Sequence, residues 1–538
     1  MMNRRGLNAF LKTNFVKIAG EEKISQENGM TKDKKNQPDH YAPIDIKPED
    51  FRKLGHQVID QITHFLETLP KRGVTLGEKP TDIRKLLGNL PLPQEGTPSD
   101  MLLTDVTNLI IEHSLYNGHP CFWGYITSSA APIGALGDLV AAAVNPNVGA
   151  WLLSPVASEI ESQTIDWIAQ LIGYPTPCAG LLVSGGNMAN FVGFLVARCM
   201  KANWDIRIHG LKNSEKQLTV YVSQETHTWI QKATDLFGLG TESIRWIPVD
   251  KQLQMDPRAL EAQIKSDRKN GFYPFLVVGT AGTVGNGAID PLSEISDICK
   301  NNELWFHVDG AYGAPAAVLP EATPQLKALS EADSVAVDPH KWLYTPLEAG
   351  CILVRNPQYL IETFSFHPEY YNFDQIDDDA QINYYEFGPQ NSRGFRALKV
   401  WLGLRQVGRK GYIQMIRKDI ELAKLLYQNL EKYPELEAFT QNLSITTFRF
   451  KPADLQKETK TVEDYLDKLN RELLNQLQVG GEVFVSNAII NGKFVLRTCI
   501  VNFRTSKKDI EALPEIVIRI GKSVDETLRA TEWGKNHT

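Results

Sequence analysis

Residues 305–342 read WFHVDGAYGAPAAVLPEATPQLKALSEADSVAVDPHKW, and this stretch decides the fold. Two short apolar runs, 305–308 and 334–337, are separated by about one β-α unit and followed at once by chemically active side chains. Runs of this length without alternation read as strands buried on both faces of a sheet. The first run ends on Asp309, and the second leads into His340 and Lys341, 32 positions after Asp309.

The pattern continues toward the N-terminus. GLLVS (180–184) precedes ANFVGFLVARCMKA (189–202), LTVYVS (218–223) precedes HTWIQKATDLF (227–237), and FLVVGT (275–280) precedes PLSEISDICKNN (291–302). Strands alternating with amphipathic helices predict an α/β domain with a mainly parallel sheet and helices on both faces.

Outside that block the texture changes. Residues 21–45 are polar and nearly free of large apolar side chains, so ordering them would cost entropy that no core offsets. Residues 1–20 are basic and mildly amphipathic but lack the apolar core of a secretory signal; with 21–45 they read as a tail. Residues 48–69 place Phe51, Leu54, Val58, Ile59, Ile62 and Phe65 on one helical stripe, which needs a surface to lie on. Residues 99–116 and 131–171 repeat the helical pattern, the latter broken by NPNVG (145–149). Beyond about residue 405, a helix (411–433), strands (444–450 and 493–503) and a helix after Ser506 predict a smaller α+β domain. The expected division is 1–45 tail, 46–125 helical segment, 126–405 large domain and 406–538 small domain.

The bulk numbers remove other classes. A net charge of −7 with dispersed basic residues offers nucleic acid no electrostatic footprint. No stretch approaches the run of about 20 apolar residues that a spanning helix needs. The six cysteines show neither CxxC nor metal-type spacing and read as reduced thiols of a cytoplasmic protein; no metal site is expected. GxGxxG, Walker, HExxH and GxSxG motifs are missing.

In open α/β sheets ligands gather at the carboxyl ends of strands. Lys341 at such an end can be desolvated, which lowers its pKa and frees the amine to attack an aldehyde; alone it reads more often as a solvated charge. Asp309 can pair with a protonated pyridine nitrogen, or simply cap the next turn. The Gly-Gly turn of LLVSGGNMANF suits a phosphate, since free amides around residues 185–188 meet a helix N-terminus; it is equally a bare β-α turn. His227 follows the next strand as a ring able to lie over a heterocycle, or as a surface histidine. The loop after 275–280, built of small residues, allows close backbone approach to a ligand or is only a loop.

Taken together, HVDGAYG (307–313), DPHKW (338–342), GNMAN (186–190), SQETHTW (223–229), AGTVGNGAID (281–290) and HPCFWGY (119–125) resemble the pyridoxal-phosphate (PLP) dependent group II amino-acid decarboxylases, most closely the aromatic-L-amino-acid branch. The resemblance runs from about residue 46 to 530. It implies the aspartate-aminotransferase-like fold type I, with a seven-stranded sheet and a homodimer whose active sites are shared and whose N-terminal helices clasp the partner. It implies pyridoxal 5'-phosphate as cofactor and an amino acid as small-molecule substrate.

By that likeness Lys341 forms the Schiff base, Asp309 meets the pyridine nitrogen, Ala311 lies under the ring and His227 stacks on it. Gly186, Asn187, Thr283, Asp338 and His340 complete the cofactor site. Tyr125 and Ile126 line the substrate pocket, together with Val148 and Ala150 from the partner's 145–151 loop. The polar, aromatic stretch 367–388 reads as a lid. In it Tyr370, 29 positions after the lysine, is the family's proton donor to the substrate carbon, whereas phenylalanine there would signal oxidative chemistry. Three departures stand out: Val284 for a threonine, Tyr385 for a lid arginine, and Ala150 for a bulky aromatic. The last two leave non-aromatic substrates open, such as 2,4-diaminobutyrate, glutamate or aspartate. Aldehyde-forming oxidative decarboxylation and a degenerate PLP-binding protein also stay open at this level.

Overall fold

A computed structural model describes residues 42–212, 216–366, 381–455 and 459–530. The chain divides into two compact units, Met1–Asp60 and Gln61–Thr538. Among the described residues the first unit holds a short turn and most of the helix Pro48–Thr68, on which Phe51 and Ile59 of the apolar stripe are exposed.

The second unit is built on a seven-stranded sheet. Its strands are β1 (Ala179–Val183), β2 (Leu218–Ser223), β3 (Ile244–Ile247), β4 (Tyr273–Thr280), β5 (Trp305–Asp309), β6 (Ser334–Val337) and β7 (Gly350–Val354). They lie in the order β1-β7-β6-β5-β4-β2-β3, with β7 antiparallel to both neighbours and every other pair parallel. All five apolar runs quoted above form strands of this sheet. β1, β2, β5, β6 and β7 are buried along their whole length, as expected of strands covered on both faces.

The helix Ala397–Leu430 bends at Gly408, whose φ of 64° is left-handed, and joins two cores. Its first part (Ala397, Val400, Leu404) packs in the core of the large sheet; Leu422, Leu426 and Leu430 pack in the second. That second core lies on an antiparallel sheet of β8 (Leu436–Asn442), β9 (Ile445–Phe450), β10 (Ser486–Ile490) and β11 (Lys493–Cys499), ordered β10-β11-β9-β8. The helix Lys460–Gly480 supplies Leu466, Leu469, Leu473 and Leu477 at helical spacing. Lys507–Leu528 starts from a capping box between Ser506 and Asp509.

The expected break at 145–149 is present: one helix runs Pro132–Val144 and the next Pro155–Ile172. The helix Ser99–Glu112 buries none of its residues, and Leu136, Leu139, Val140, Val144, Leu152, Leu153 and Val156 leave a further apolar face uncovered within the chain.

Candidate active site

Asp309 is the last residue of β5, and Lys341 sits in the single helical turn Pro339–Trp342 directly after β6. These neighbouring parallel strands pair through Asp309 and Ala336, so aspartate and lysine emerge side by side. Thr280 ends β4 opposite Asp309, His227 follows β2, and Gly185 and Gly186 follow β1. Every strand end singled out from the sequence therefore opens toward one edge of the sheet.

Lys341 Nζ lies 3.0 Å from Asp338 Oδ2, and its side chain keeps 20% of its surface exposed. Burial alone would lower the lysine, as expected from the sequence, but the carboxylates of Asp338 and Asp309 outweigh it and hold the amine above its ordinary value. The expected depression of Lys341 is thus reversed, because Asp338 stands one helical turn before it. His227 is shifted down by partial burial, opposed by Asp309 and reinforced by Lys341, which places its ring in the same field. Its Nδ1 accepts the backbone amide of Trp229 at 3.3 Å.

Asp309 is buried and held at both oxygens: the Ala311 amide donates to Oδ1 at 3.2 Å and the indole of Trp229 to Oδ2 at 2.8 Å. Ala311 is buried and its carbonyl accepts the amide of Asp338. His340 sets its Nδ1 2.7 Å from the carbonyl of Ala349 and its Nε2 3.8 Å from Asp338 Oδ2; burial holds it below the usual histidine range. The helix Gly186–Lys201 begins after Gly185, whose φ is 99°. Its first amides, at Gly186 and Asn187, have no acceptor within the helix and are free for an anion. A Cβ on residue 186 would come within 2.5 Å of Asp338 Oδ2, so only glycine lets that carboxylate reach the helix start.

Thr283 is fully buried and its hydroxyl donates to Asn286 Oδ1 at 2.7 Å, so it shapes the loop. Val148 (0% exposed) and Ala150 (3%) are buried within the chain. The cause is the buried pair Arg393 and Glu161: Arg393 Nη1 also donates to the Val148 carbonyl at 2.9 Å, and the Val148 amide donates to the Arg393 carbonyl. Ile126 is buried, while Tyr125 is 57% exposed on a left-handed backbone (φ 50°). Tyr370 lies outside the described residues.

Sequence reasoning missed Trp229, Asp338 as the lysine's counter-ion, and Arg497. Arg497, from β11, is buried, donates to the carbonyls of Tyr125 and of Val284 (2.7 Å), and leaves Nε without a partner. The Asp338 to Lys341 spacing was a visible signal; the partners of Trp229 and Arg497 are remote in sequence. Asp338 Oδ1, Thr226 Oγ1 and Thr280 Oγ1, at these strand ends, are buried polar atoms without partners, which suits a site that completes its hydrogen bonds with a polar ligand.

Residues 80–451 match the family model described as pyridoxal-dependent decarboxylase conserved domain. The chain is 33% identical over 484 residues to the aromatic-L-amino-acid decarboxylase of Bacillus atrophaeus, covering 90% of this chain and 97% of that protein. It is 31% identical over 471 residues to a phenylacetaldehyde synthase of a Rosa hybrid cultivar, covering 86% and 92% respectively. The crystal structure of Oryza sativa TDC with PLP and tryptamine is similar at a TM-score of 0.83 and 26% identity, over 90% of this chain and 99% of that one.

Proposed function

The chain belongs to the pyridoxal-dependent decarboxylase family, and from that premise we propose that it removes the carboxylate of an aromatic L-amino acid as carbon dioxide and releases the amine. The fold is the fold type I architecture of PLP enzymes and the cofactor is pyridoxal 5'-phosphate. One observation carries the reading: Lys341 and Asp309 leave adjacent strand ends into one field that also contains His227.

The residues present fit this cofactor. Lys341 offers an amine, Asp309 a fixed carboxylate, and the amides of Gly186 and Asn187 an anion cradle beside unsatisfied polar atoms. When bound, the cofactor supplies an aldehyde that captures an amine and a protonated ring that accepts the electron pair left as carbon dioxide departs. Asp309 would meet the ring nitrogen and hold a proton on it; His227 would cover the ring, with its own proton on Nε2 because Nδ1 is an acceptor. Asp338 balances the charge of the Lys341 ammonium whenever that amine is free. Tyr370, by its place in the sequence, delivers the proton that replaces the carboxylate, which favours an amine over an aldehyde as product.

The aromatic assignment is supported by the Bacillus atrophaeus relative. A second reading, oxidative formation of an aldehyde, is favoured by the likeness to phenylacetaldehyde synthase. We place the protein in the cytoplasm as a homodimer, with residues 46–125 as the clasping segment ahead of large (126–405) and small (406–538) domains. The uncovered apolar side chains of Ser99–Glu112 and Pro132–Val144 support the dimer; the described cysteines, all unpaired, support the compartment.

Holoenzyme offered a panel of L-amino acids should release carbon dioxide and amine in equal amounts from tryptophan, tyrosine, phenylalanine or DOPA. Turnover of glutamate, aspartate or 2,4-diaminobutyrate alone would overturn the aromatic assignment. Ammonia and peroxide accompanying an aldehyde would establish the second reading.

A further inference from the structure

Trp229 touches both groups that meet the cofactor ring. Its backbone amide donates to His227 Nδ1 at 3.3 Å, and its indole N–H donates to Asp309 Oδ2 at 2.8 Å. Local geometry explains the double contact: Trp229 opens the helix Trp229–Leu236 two residues after His227, so its amide is one of the donors a helix start leaves free.

The indole has no freedom to turn away. It is fully buried and meets His307 edge-on, with ring centroids 6.0 Å apart and planes at 81°. His307 is itself fixed between Ser334 Oγ and Asn190 Oδ1, both at 2.8 Å. With the Ala311 amide on Oδ1 and the indole on Oδ2, the plane of the Asp309 carboxylate is set from both ends. Each oxygen still has a lone pair for a further donor.

We propose that Trp229 is a positioning residue that orients the Asp309 carboxylate through its indole N–H and the His227 ring through its amide, so that one residue sets the faces presented to the cofactor's pyridine ring. The inference rests on the reading of Asp309 and His227 as partners of that ring.

The test compares Trp229→Phe and Trp229→His with the wild-type holoenzyme. The readouts are cofactor affinity from the visible absorption band, the pH titration of that band, and kcat against KM. A donor role predicts that phenylalanine, which cannot donate, is the worse: about tenfold weaker cofactor binding, a displaced band titration and a lower kcat at similar KM. Histidine keeps a ring N–H in the slot and recovers part of the loss. A packing role predicts the reverse order, because histidine is smaller than phenylalanine and leaves the larger void. Equal or reversed losses, or a Trp229→Phe protein with wild-type affinity and titration, overturn the proposal. If Trp229→Phe fails to fold, Trp229→His decides: a loss of affinity below tenfold with a band titration close to wild type supports the donor role, and a loss of tenfold or more, or a displaced titration, sinks it. Cofactor uptake without decarboxylation of any amino acid would sink the proposed function while this comparison still stands. A wild-type chain that takes up no cofactor would overturn both.

Discussion

Replacing Arg393 by methionine should be among the most damaging single changes in the large domain. The guanidinium is 3% exposed, pairs with the fully buried Glu161, donates to the carbonyls of Val148 (2.9 Å) and Leu182 (2.7 Å), and lies 4.7 Å from the centre of the Tyr384 ring. Methionine fills much of the volume but strips the Glu161 carboxylate of its cation, leaving the Leu182 amide as the donor still in place. Stripping a buried charge of its partner costs about 3 to 5 kcal/mol, and two orphaned carbonyls add about 1 kcal/mol each. Urea unfolding followed by circular dichroism should therefore show a loss of about 5 to 7 kcal/mol. Adding Glu161→Gln removes the stranded charge and keeps an acceptor for the Leu182 amide, so the double variant should lose at least about 2 kcal/mol less than the sum of the singles. A single variant within about 1 kcal/mol of wild type, or additive losses, would refute the argument. Because the same side chain ties the 145–150 loop to the segment after 381, proteolysis within that loop should rise in parallel.

Lys341→Ala should abolish the visible absorption band of the bound cofactor, and a variant keeping both band and turnover would refute the assignment. Asp419 accepts from Trp342 Nε1 (3.0 Å) and the Tyr344 hydroxyl (2.6 Å), and burial pushes its carboxyl up to about 7. Its contribution to stability is complete below the ordinary carboxylate pKa of 3.8 and is lost as pH rises through about 7, a swing on the order of 4 kcal/mol. Asp419→Asn should flatten the stability profile between those limits, measured by urea midpoints from pH 4 to 8; an unchanged slope contradicts the shift. Gly149→Ala should destabilise by about 2 kcal/mol, since its Cβ would stand 2.1 Å from the Asn391 carbonyl, and unaltered unfolding would count against that close approach. Tyr370→Phe should divert product from amine to aldehyde with peroxide; amine alone would remove Tyr370 from the proton step.

The parts of the fold legible in the sequence are those where burial on both faces leaves an unbroken apolar run. β3, at the sheet edge with Arg245 and Trp246 partly exposed, carries no such run and gives no strand signal. β7 is apolar throughout, yet residues 338–349 between it and β6 hold only the helical turn Pro339–Trp342 and no amphipathic crossover helix, and the strand returns antiparallel. In the site, Lys341, Asp309 and His227 are legible because strand ends locate them. The direction of the Lys341 shift is not, because burial weighed without the carboxylate one turn earlier points the wrong way. The burial of Val148 and Ala150 is not legible, because the buried arginine that draws their loop into the chain stands 245 positions after Val148.

Arg497 grips only main-chain oxygens, those of Tyr125 and Val284, whose side chains remain 57% and 39% exposed. A clasp of this kind is blind to what hangs from the clasped positions. The side chains at 125 and 284 can be exchanged while the frame that carries them is undisturbed.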